Sequence, residues 1–266
     1  MYVNEKNEER NIILHGHMFK NAGTTFDWAL ERNFGSKFID HREDSELIRG
    51  KEEYLYQIFL ENKEIKAFSS HHLNAAFPTD RKENGLNLLP IYILREPIER
   101  VLSVYLFERK QKADSLGAIN AKKKSFREYV SWRLEDGVPA TIRNFQTRYC
   151  AGHRGAGDIG EFVFNRALST LDKYNFGLVD LFDESMVVFE NYLNKYFENI
   201  DLSYIPQNVN TKINLKKEDK IEKIKDELGD IYNDLISKNN YDIKLFDYAK
   251  KTFYKRINNI DQFEDK

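Results

Sequence analysis

The stretch Asn11-Ile-Ile-Leu-His-Gly-His-Met-Phe-Lys-Asn-Ala-Gly-Thr-Thr-Phe26 constrains the fold more than any other part of the chain. Ile12, Ile13 and Leu14 make a short, continuous apolar run, the signal of a strand buried on both faces of a parallel sheet. After the polar break Lys20-Asn-Ala-Gly-Thr-Thr25, apolar residues recur at helical intervals at Phe26, Ala29, Leu30 and Phe34. Strand, loop and helix in that order leave a helix N-terminus with unpaired N–H groups just beyond the end of a strand. Such a place takes an anion. Gly23 allows close backbone approach, the hydroxyls of Thr24 and Thr25 can donate to oxyanions, and Lys20 adds a compact positive charge. The nucleoside-triphosphate pattern Gly-x4-Gly-Lys-Ser/Thr is absent, because here the lysine precedes the glycine by three.

A second junction of the same kind lies roughly seventy residues on, at Leu88-Leu-Pro-Ile-Tyr-Ile-Leu-Arg-Glu-Pro-Ile-Glu-Arg-Val-Leu-Ser-Val-Tyr105. Ile91 to Leu94 read as a buried strand with Arg95 at its carboxyl end, and Pro97 suits the first position of a helix. Ile98, Val101, Leu102, Tyr105 and Leu106 form that helix's apolar face, which leaves Ser103 on another side. Arg100 reads as a structural ion-pair former rather than a ligand contact. Ligands of open parallel sheets bind beyond the carboxyl ends of strands, where both loops would meet.

Lys20-Asn21-Ala22-Gly23-Thr24-Thr25 resembles the 5′-phosphosulfate loop of sulfotransferases that use 3′-phosphoadenosine 5′-phosphosulfate (PAPS), especially carbohydrate sulfotransferases of the Golgi and bacterial kinds related to heparan sulfate 2-O-sulfotransferase. Leu94-Arg95-x-Pro97-x-x-Arg100-x-x-Ser103-x-Tyr105 resembles the 3′-phosphate element of the same family. The resemblance implies a three-layer α/β fold, P-loop-like, with a central parallel sheet flanked by helices. It implies PAPS as sulfuryl donor, with Lys20 to Thr25 around its 5′ end and Arg95 and Ser103 on its 3′-phosphate. It also implies a hydroxyl-bearing acceptor, an oligo- or polysaccharide, and no metal. Asn144-x-Gln146-Thr147-Arg148-Tyr-Cys-Ala-Gly152 and the strand Phe176-Gly-Leu-Val-Asp-Leu-Phe182 resemble further family segments, and relatives pass their counterpart of residues 205–214 near the cofactor. Arg148 is read as either a substrate or cofactor contact or an ordinary ion-pair former.

Residues 65–72 run as a short strand into Ser70-His71-His72. Sulfuryl transfer requires the attacking hydroxyl to lose its proton, and imidazole is suited to take it near neutral pH. In the resembled family the base follows this strand in a Gly-His or Ser-His setting, which favours His71. His72 is the alternative, since neighbours on extended backbone point to opposite sides. His15 and His17 flank Gly16 at the first loop, but no carboxylate or cysteine of ligand-like spacing stands near them in sequence. They read as loop packing or cofactor neighbours.

The 266 residues suit one domain, with an α/β core at 11–210 and a helical segment at 216–266. Net charge of −2 gives no case for general nucleic-acid binding. The single cysteine, Cys150, reads as buried packing and points to a reducing compartment, and no eighteen-residue apolar run exists to anchor the chain. A cytoplasmic, bacterial relative of the family or a trimmed chain fits. Tyr54, Leu55, Ile58 and Phe59 suggest a crossover helix, with His41 and Arg42 in a solvated loop before it. Residues 107–124 read as a helix end and mobile connection whose lysines, 122–124, form a solvated face or a guide for an anionic acceptor. Ser125-x-x-Glu128 opens a helix by a capping box, and residues 142–152 form another that ends at Gly152. Four glycines in residues 152–160 make a flexible loop able to close over the site. Phe162, Ala167, Leu168 and Leu171 mark a helix, and Asp183 caps the next, which carries Met186, Val187, Phe189, Leu193 and Phe197. The tail's two apolar stripes predict a packed helical cap, or alternatively a helix for a homodimer. A phosphoryl-transfer enzyme would need a magnesium-binding Ser or Thr directly after a loop lysine, which is absent. A non-catalytic nucleotide-binding protein would keep the fold without needing either histidine.

Overall fold

A computed structural model describes residues 9–42, 52–73, 85–207 and 217–264. Its strands are β1 (Arg10–Gly16), β2 (Phe38–Asp40), β3 (Ala67–Ser70), β4 (Leu86–Leu94) and β5 (Asn175–Leu178). All pair in parallel, in the order β2-β3-β1-β4-β5. The apolar run of β1 is central because its two faces feed two cores. Ile13 joins one with Ala67, Ile91 and Ile93, while Ile12 and Leu14 join the other with Phe68 and Leu88. Pro90 sits within β4 but before β5 begins to pair at Ile91, so the strand has one open flank where a missing N–H costs no ladder bond.

Helix α1 (Gly23–Phe34) and helix α8 (Phe182–Leu193) cover one face through Phe26, Leu30 and Phe189. Each such fully buried side chain contributes roughly 1.5–3 kcal/mol. Helix α2 (Glu52–Glu61) covers the other face beside β1 through Leu55 and Phe59, as its spacing predicts. Further along that face, α6 (Phe145–Cys150), α7 (Glu161–Lys173) and α11 (Asn240–Glu264) pack on Tyr92, Leu94 and Phe176. The three-layer α/β arrangement is therefore present. Cys150 is buried in this core.

A helical cluster forms where α3 (Pro97–Lys110), α4 (Leu116–Lys123) and α5 (Phe126–Leu134) meet α9 (Lys217–Leu228) and α10 (Ile231–Lys238). Leu228 and Leu235 are wholly buried there, so the first tail stripe is covered within the chain. The capping box at Ser125 forms as expected.

Several expectations are corrected. Residues 116–123 are helical rather than a mobile connection, since Gly117 lets α4 lie against Glu108 and Arg133 more closely than a Cβ would permit. The helix expected from residue 142 starts at Phe145, with Asn144 left-handed (φ 46) before it. Phe162 and Val187 are exposed, while Val163 and Phe164 pack on the core in place of the former. Asp183 lies in the first turn of α8 and accepts from the Tyr204 hydroxyl instead of capping the helix. His41 packs beside Phe68, its ring centroid 5.4 Å away, rather than standing in solvent.

Candidate active site

The register sets β1, β3 and β4 to end together, with Gly16 opposite both Ser70 and Tyr92. A Cβ on Gly16 would meet the Tyr92 ring and lie 2.9 Å from the Leu73 carbonyl oxygen. The residues that follow these strands thus converge at one sheet edge: the Lys20 loop, His71 and His72, and Arg95.

The Lys20 loop is held in an uncommon shape. Lys20 (φ 67) and Ala22 (φ 59) are both left-handed, which costs each roughly 1–2 kcal/mol and creates a backbone concavity suited to anions. Asn21 between them is buried, and its Nδ2 donates to the Ile93 carbonyl at 2.8 Å and to Gln146 Oε1 at 2.7 Å. Its side chain therefore fixes the loop from inside. Two loop N–H groups are used internally, Asn21 to Met18 and Thr25 to Ala22, whereas those of Gly23 and Thr24 lie in the first turn of α1 without intrahelical acceptors. Thr25 Oγ1 accepts from the Gln207 N–H at 3.1 Å, which leaves its hydroxyl proton to donate elsewhere. That contact also brings residue 207 to the loop, while residues 208–214 of the Asn-rich connection lie outside the described residues.

Gln146 joins the two junctions. Besides accepting from Asn21, its Oε1 accepts from the Arg95 N–H at 2.8 Å and its Nε2 donates to the Arg95 carbonyl at 2.8 Å. Gln146 is set in turn by Asp242 of α11, whose carboxylate accepts from the backbone N–H groups of Gln146 (3.0 Å) and Thr147 (2.7 Å). Burial pushes the Asp242 carboxyl up, while Arg100 and these N–H groups act against it.

Arg95 donates through Nη1 to the Lys20 carbonyl at 3.2 Å and lies 3.7 Å from Glu99 through Nη2. Its Nε is buried with no hydrogen-bond partner among the described residues. Burial lowers the guanidinium's proton affinity, and Glu99 counters this. Lys20 is depressed by burial and then by the charges of Arg95 and Lys110, and its Nζ rests 4.5 Å from the centre of the Phe107 ring. Ser103 is half-buried on α3. Arg100 is fully buried, donates to the carbonyls of Phe19 and Thr141, and lies 4.3 Å from the Phe145 ring centre, so it is structural through carbonyls and a ring rather than through an ion pair.

His71 donates from Nδ1 to the His17 carbonyl at 2.7 Å, which leaves its Nε2 lone pair as the basic position. Burial, then the neighbouring His17, holds its pKa down to about 4. Both His71 and His72 line a cavity of about 360 Å³, because a turn replaces the extended backbone that would have pointed them apart. Phe145, Tyr149, Arg148, His153 and Arg154 line it too, and no carboxylate does among the described residues. Arg148 holds the glycine loop by donating to the carbonyls of Gly155 (3.0 Å) and Gly157. The loop thus forms one wall of the cavity.

Beneath the Lys20 loop, the two oxygens of Asp27 accept from His15 Nδ1 at 2.6 Å and His17 Nδ1 at 2.7 Å. Sequence spacing gave no carboxylate beside the two histidines; the fold brings Asp27 to both. Burial acts to raise the Asp27 carboxyl, but the two imidazoles outweigh it and hold it well below the usual carboxylate range. His15, His17 and Asp27 each place a potential ligand atom within 4.8 Å of the others. Yet two ligands about 2.0–2.1 Å from a tetrahedral ion stand roughly 3.3 Å apart, and 2.6–2.7 Å is the length of a charge-assisted hydrogen bond. The cluster is a hydrogen-bonded triad. Asp27 was legible only as a charged residue interrupting the buried stripe of Phe26, Ala29 and Leu30. Gln146 and Asp242 carry no local signal of their roles.

The fold and this edge define an α/β protein of the P-loop-like class, with a histidine-lined cavity beside the Lys20 loop. The model of the Sulfotransferase family matches residues 6–249, and the chain belongs to that family. It is a transferase of sulfuryl groups with a hydroxyl acceptor. An uncharacterized protein of Archaeoglobus fulgidus is 33% identical over 256 residues, covering 90% of this chain and 95% of the relative. The crystal structure of a sulfotransferase from Alicyclobacillus acidocaldarius aligns over 88% of this chain and 96% of that one, at 14% identity and a TM-score of 0.42. No helix among the described residues is long and apolar enough to cross a membrane.

Proposed function

We propose that this chain transfers the sulfuryl group of PAPS to a carbohydrate hydroxyl by in-line displacement. The observation that carries the reading is the meeting of three elements at one sheet edge. They are a left-handed loop with Lys20, an Arg95 guanidinium donating to that loop's backbone, and His71, which lines a cavity with its Nδ1 committed to a carbonyl. The residues fit the donor: the Arg95 Nε is a buried orphan, and Lys20 is depressed by burial and then by neighbouring cations whose effect an anion would offset. The donor supplies the sulfuryl group and a bisphosphorylated leaving nucleotide.

Lys20 stabilises the charge that develops between sulfur and the leaving oxygen. The N–H groups of Gly23 and Thr24 and the Thr25 hydroxyl hold the 5′-phosphate, while Ala22 and Asn21 shape the loop. Arg95 and Ser103 bind the 3′-phosphate. His71 takes the acceptor proton on Nε2, with His72 beside it in the same cavity. The aromatic walls Phe145 and Tyr149 and the cationic lining support a sugar acceptor that carries anionic groups.

The test is calorimetric titration with 3′-phosphoadenosine 5′-phosphate (PAP), AMP and ATP, followed by an acceptor screen. Binding that needs the 3′-phosphate and weakens in Arg95→Ala is the expected result, with turnover lost in Lys20→Ala. Binding of ATP with magnesium and not of PAP would favour phosphoryl transfer instead.

A further inference from the structure

His71 and His72 occupy a turn between two fixed points. Behind them Ser70 ends β3: it pairs with Gly16, its carbonyl accepts from the His17 N–H at 3.1 Å, and its Oγ accepts from the His72 N–H at 3.1 Å. Ahead of them Leu73 buries its side chain with Ile12, Leu14 and Phe68. The Leu73 carbonyl accepts a hydrogen bond from the hydroxyl of Tyr149, which stands on α6 one helical turn after Gln146. The Tyr149 ring lies beside those of Tyr92 and Phe145, at 6.4 and 6.3 Å between centroids. Burial raises the phenol well above its ordinary value, so the oxygen keeps its proton and gives it to Leu73 rather than to anything in the cavity.

We propose that Tyr149 is a positioning residue for His71, holding the turn that carries both histidines by its bond to the Leu73 carbonyl. This rests on the reading of His71 as the base given above. With both ends fixed, two residues have few combinations of φ and ψ that close the turn. Release of the Leu73 carbonyl gives the turn alternatives, and the His71 ring can then leave the His17 carbonyl to which its Nδ1 donates at 2.7 Å. Helix α6 thereby serves both sides of the site. Gln146 bonds to Asn21 of the Lys20 loop and to the Arg95 backbone, and Tyr149 secures the histidine turn.

A hydroxyl that only satisfied a buried carbonyl would affect stability alone, so the test reads His71 itself. The experiment is an NMR titration of the full chain with isotope-labelled imidazole nitrogens, for wild type, Tyr149→Phe and Tyr105→Phe, with His71→Gln to assign the His71 signals. Tyr149→Phe keeps the ring and removes only the hydroxyl. Tyr105→Phe removes a bond of the same kind, 3.0 Å to the Lys124 carbonyl, in the helical cluster around α3. The charged groups that act on His71, namely His17 after β1, Arg42 after β2 and Asp27 on α1, remain in both variants, so a moved midpoint reports the turn.

In wild type His71 should carry its proton on Nδ1 and titrate near 4. In Tyr149→Phe the midpoint should rise toward 6.5 by about one unit or more as water reaches the ring, with PAP affinity within about twofold of wild type. Tyr105→Phe should match wild type. An unchanged His71 midpoint in Tyr149→Phe, an equal rise in Tyr105→Phe, loss of PAP binding in Tyr149→Phe, or a Tyr149→Phe chain that does not fold would overturn the positioning role and leave the donor and base readings standing. Full turnover in His71→Gln would overturn the base reading instead, and absence of PAP binding to wild type the donor reading.

Discussion

Replacing Gln146 with alanine removes the side chain that bonds both to the Lys20 loop and to Arg95. Three hydrogen bonds go: from Asn21 Nδ2, from the Arg95 N–H and to the Arg95 carbonyl. At about 1 kcal/mol each, with more for partners left buried and unsatisfied, the loss is about 3 kcal/mol. In a chain of this size that lowers Tm by roughly 6–12 °C. The effect on binding is separate. Lys20 and Ala22 are left-handed in the free protein, held there through Asn21, and without Gln146 the loop would have to adopt that shape at the moment of binding. PAP affinity should fall by at least about tenfold, 1.4 kcal/mol. Differential scanning calorimetry and PAP titration read the two effects. A Gln146→Ala protein within about 2 °C of wild type that binds PAP unchanged would show that the two junctions hold their shapes independently.

The His71 imidazole, held to about 4, makes two pH predictions. The acid limb of kcat/KM in the free enzyme should fall near pH 4 rather than near the 6.5 of an exposed imidazole, and a limb at 6.5 would exclude His71 as the base. The folded state also binds this proton less readily than the unfolded chain. The stability His71 contributes is thus complete above about pH 6.5 and falls away toward pH 4, so urea titrations of His71→Gln should show a shallower acid loss than wild type. Gly23→Ala places a methyl group against the His17 ring and should cost about 1–3 kcal/mol together with PAP binding; unchanged thermal stability would mean that the ring can move aside. Arg148→Ala frees the carbonyls of Gly155 and Gly157, and limited proteolysis should then cut within residues 152–160 faster than in wild type. An unaltered cleavage rate would show that Arg148 does not restrain that loop.

Elements whose signal is local were legible in the sequence. The apolar runs of β1 and β4, the helix beginning after the Lys20 loop and the capping box at Ser125 all rest on residues within a few positions of one another. The three-residue β2 was not legible, since so short an edge strand has no pattern of its own. Helix α4 was hidden because its packing face consists of small residues, Gly117, Ala118 and Ala121, which carry no hydrophobic signal. In the site, the loop lysine, the arginine after β4 and the histidines after β3 could be found because strand ends in a parallel sheet are predictable places. What joins them was not legible. Asp27 meets His17 across 10 residues, Gln146 meets Asn21 across 125, and Asp242 meets Gln146 across 96, and no periodicity encodes such pairings.

The link from Asp242 to Gln146 also bears on the order in which the protein becomes competent during synthesis. The anion loop and Arg95 leave the ribosome early, and strands β1, β3 and β4 can pair as soon as residue 94 has emerged. The carboxylate that fixes the start of α6 stands at position 242 of 266. A nascent chain therefore carries the Lys20 loop and Arg95 long before it can hold them in register, and this edge of the sheet is completed only as the last helix docks.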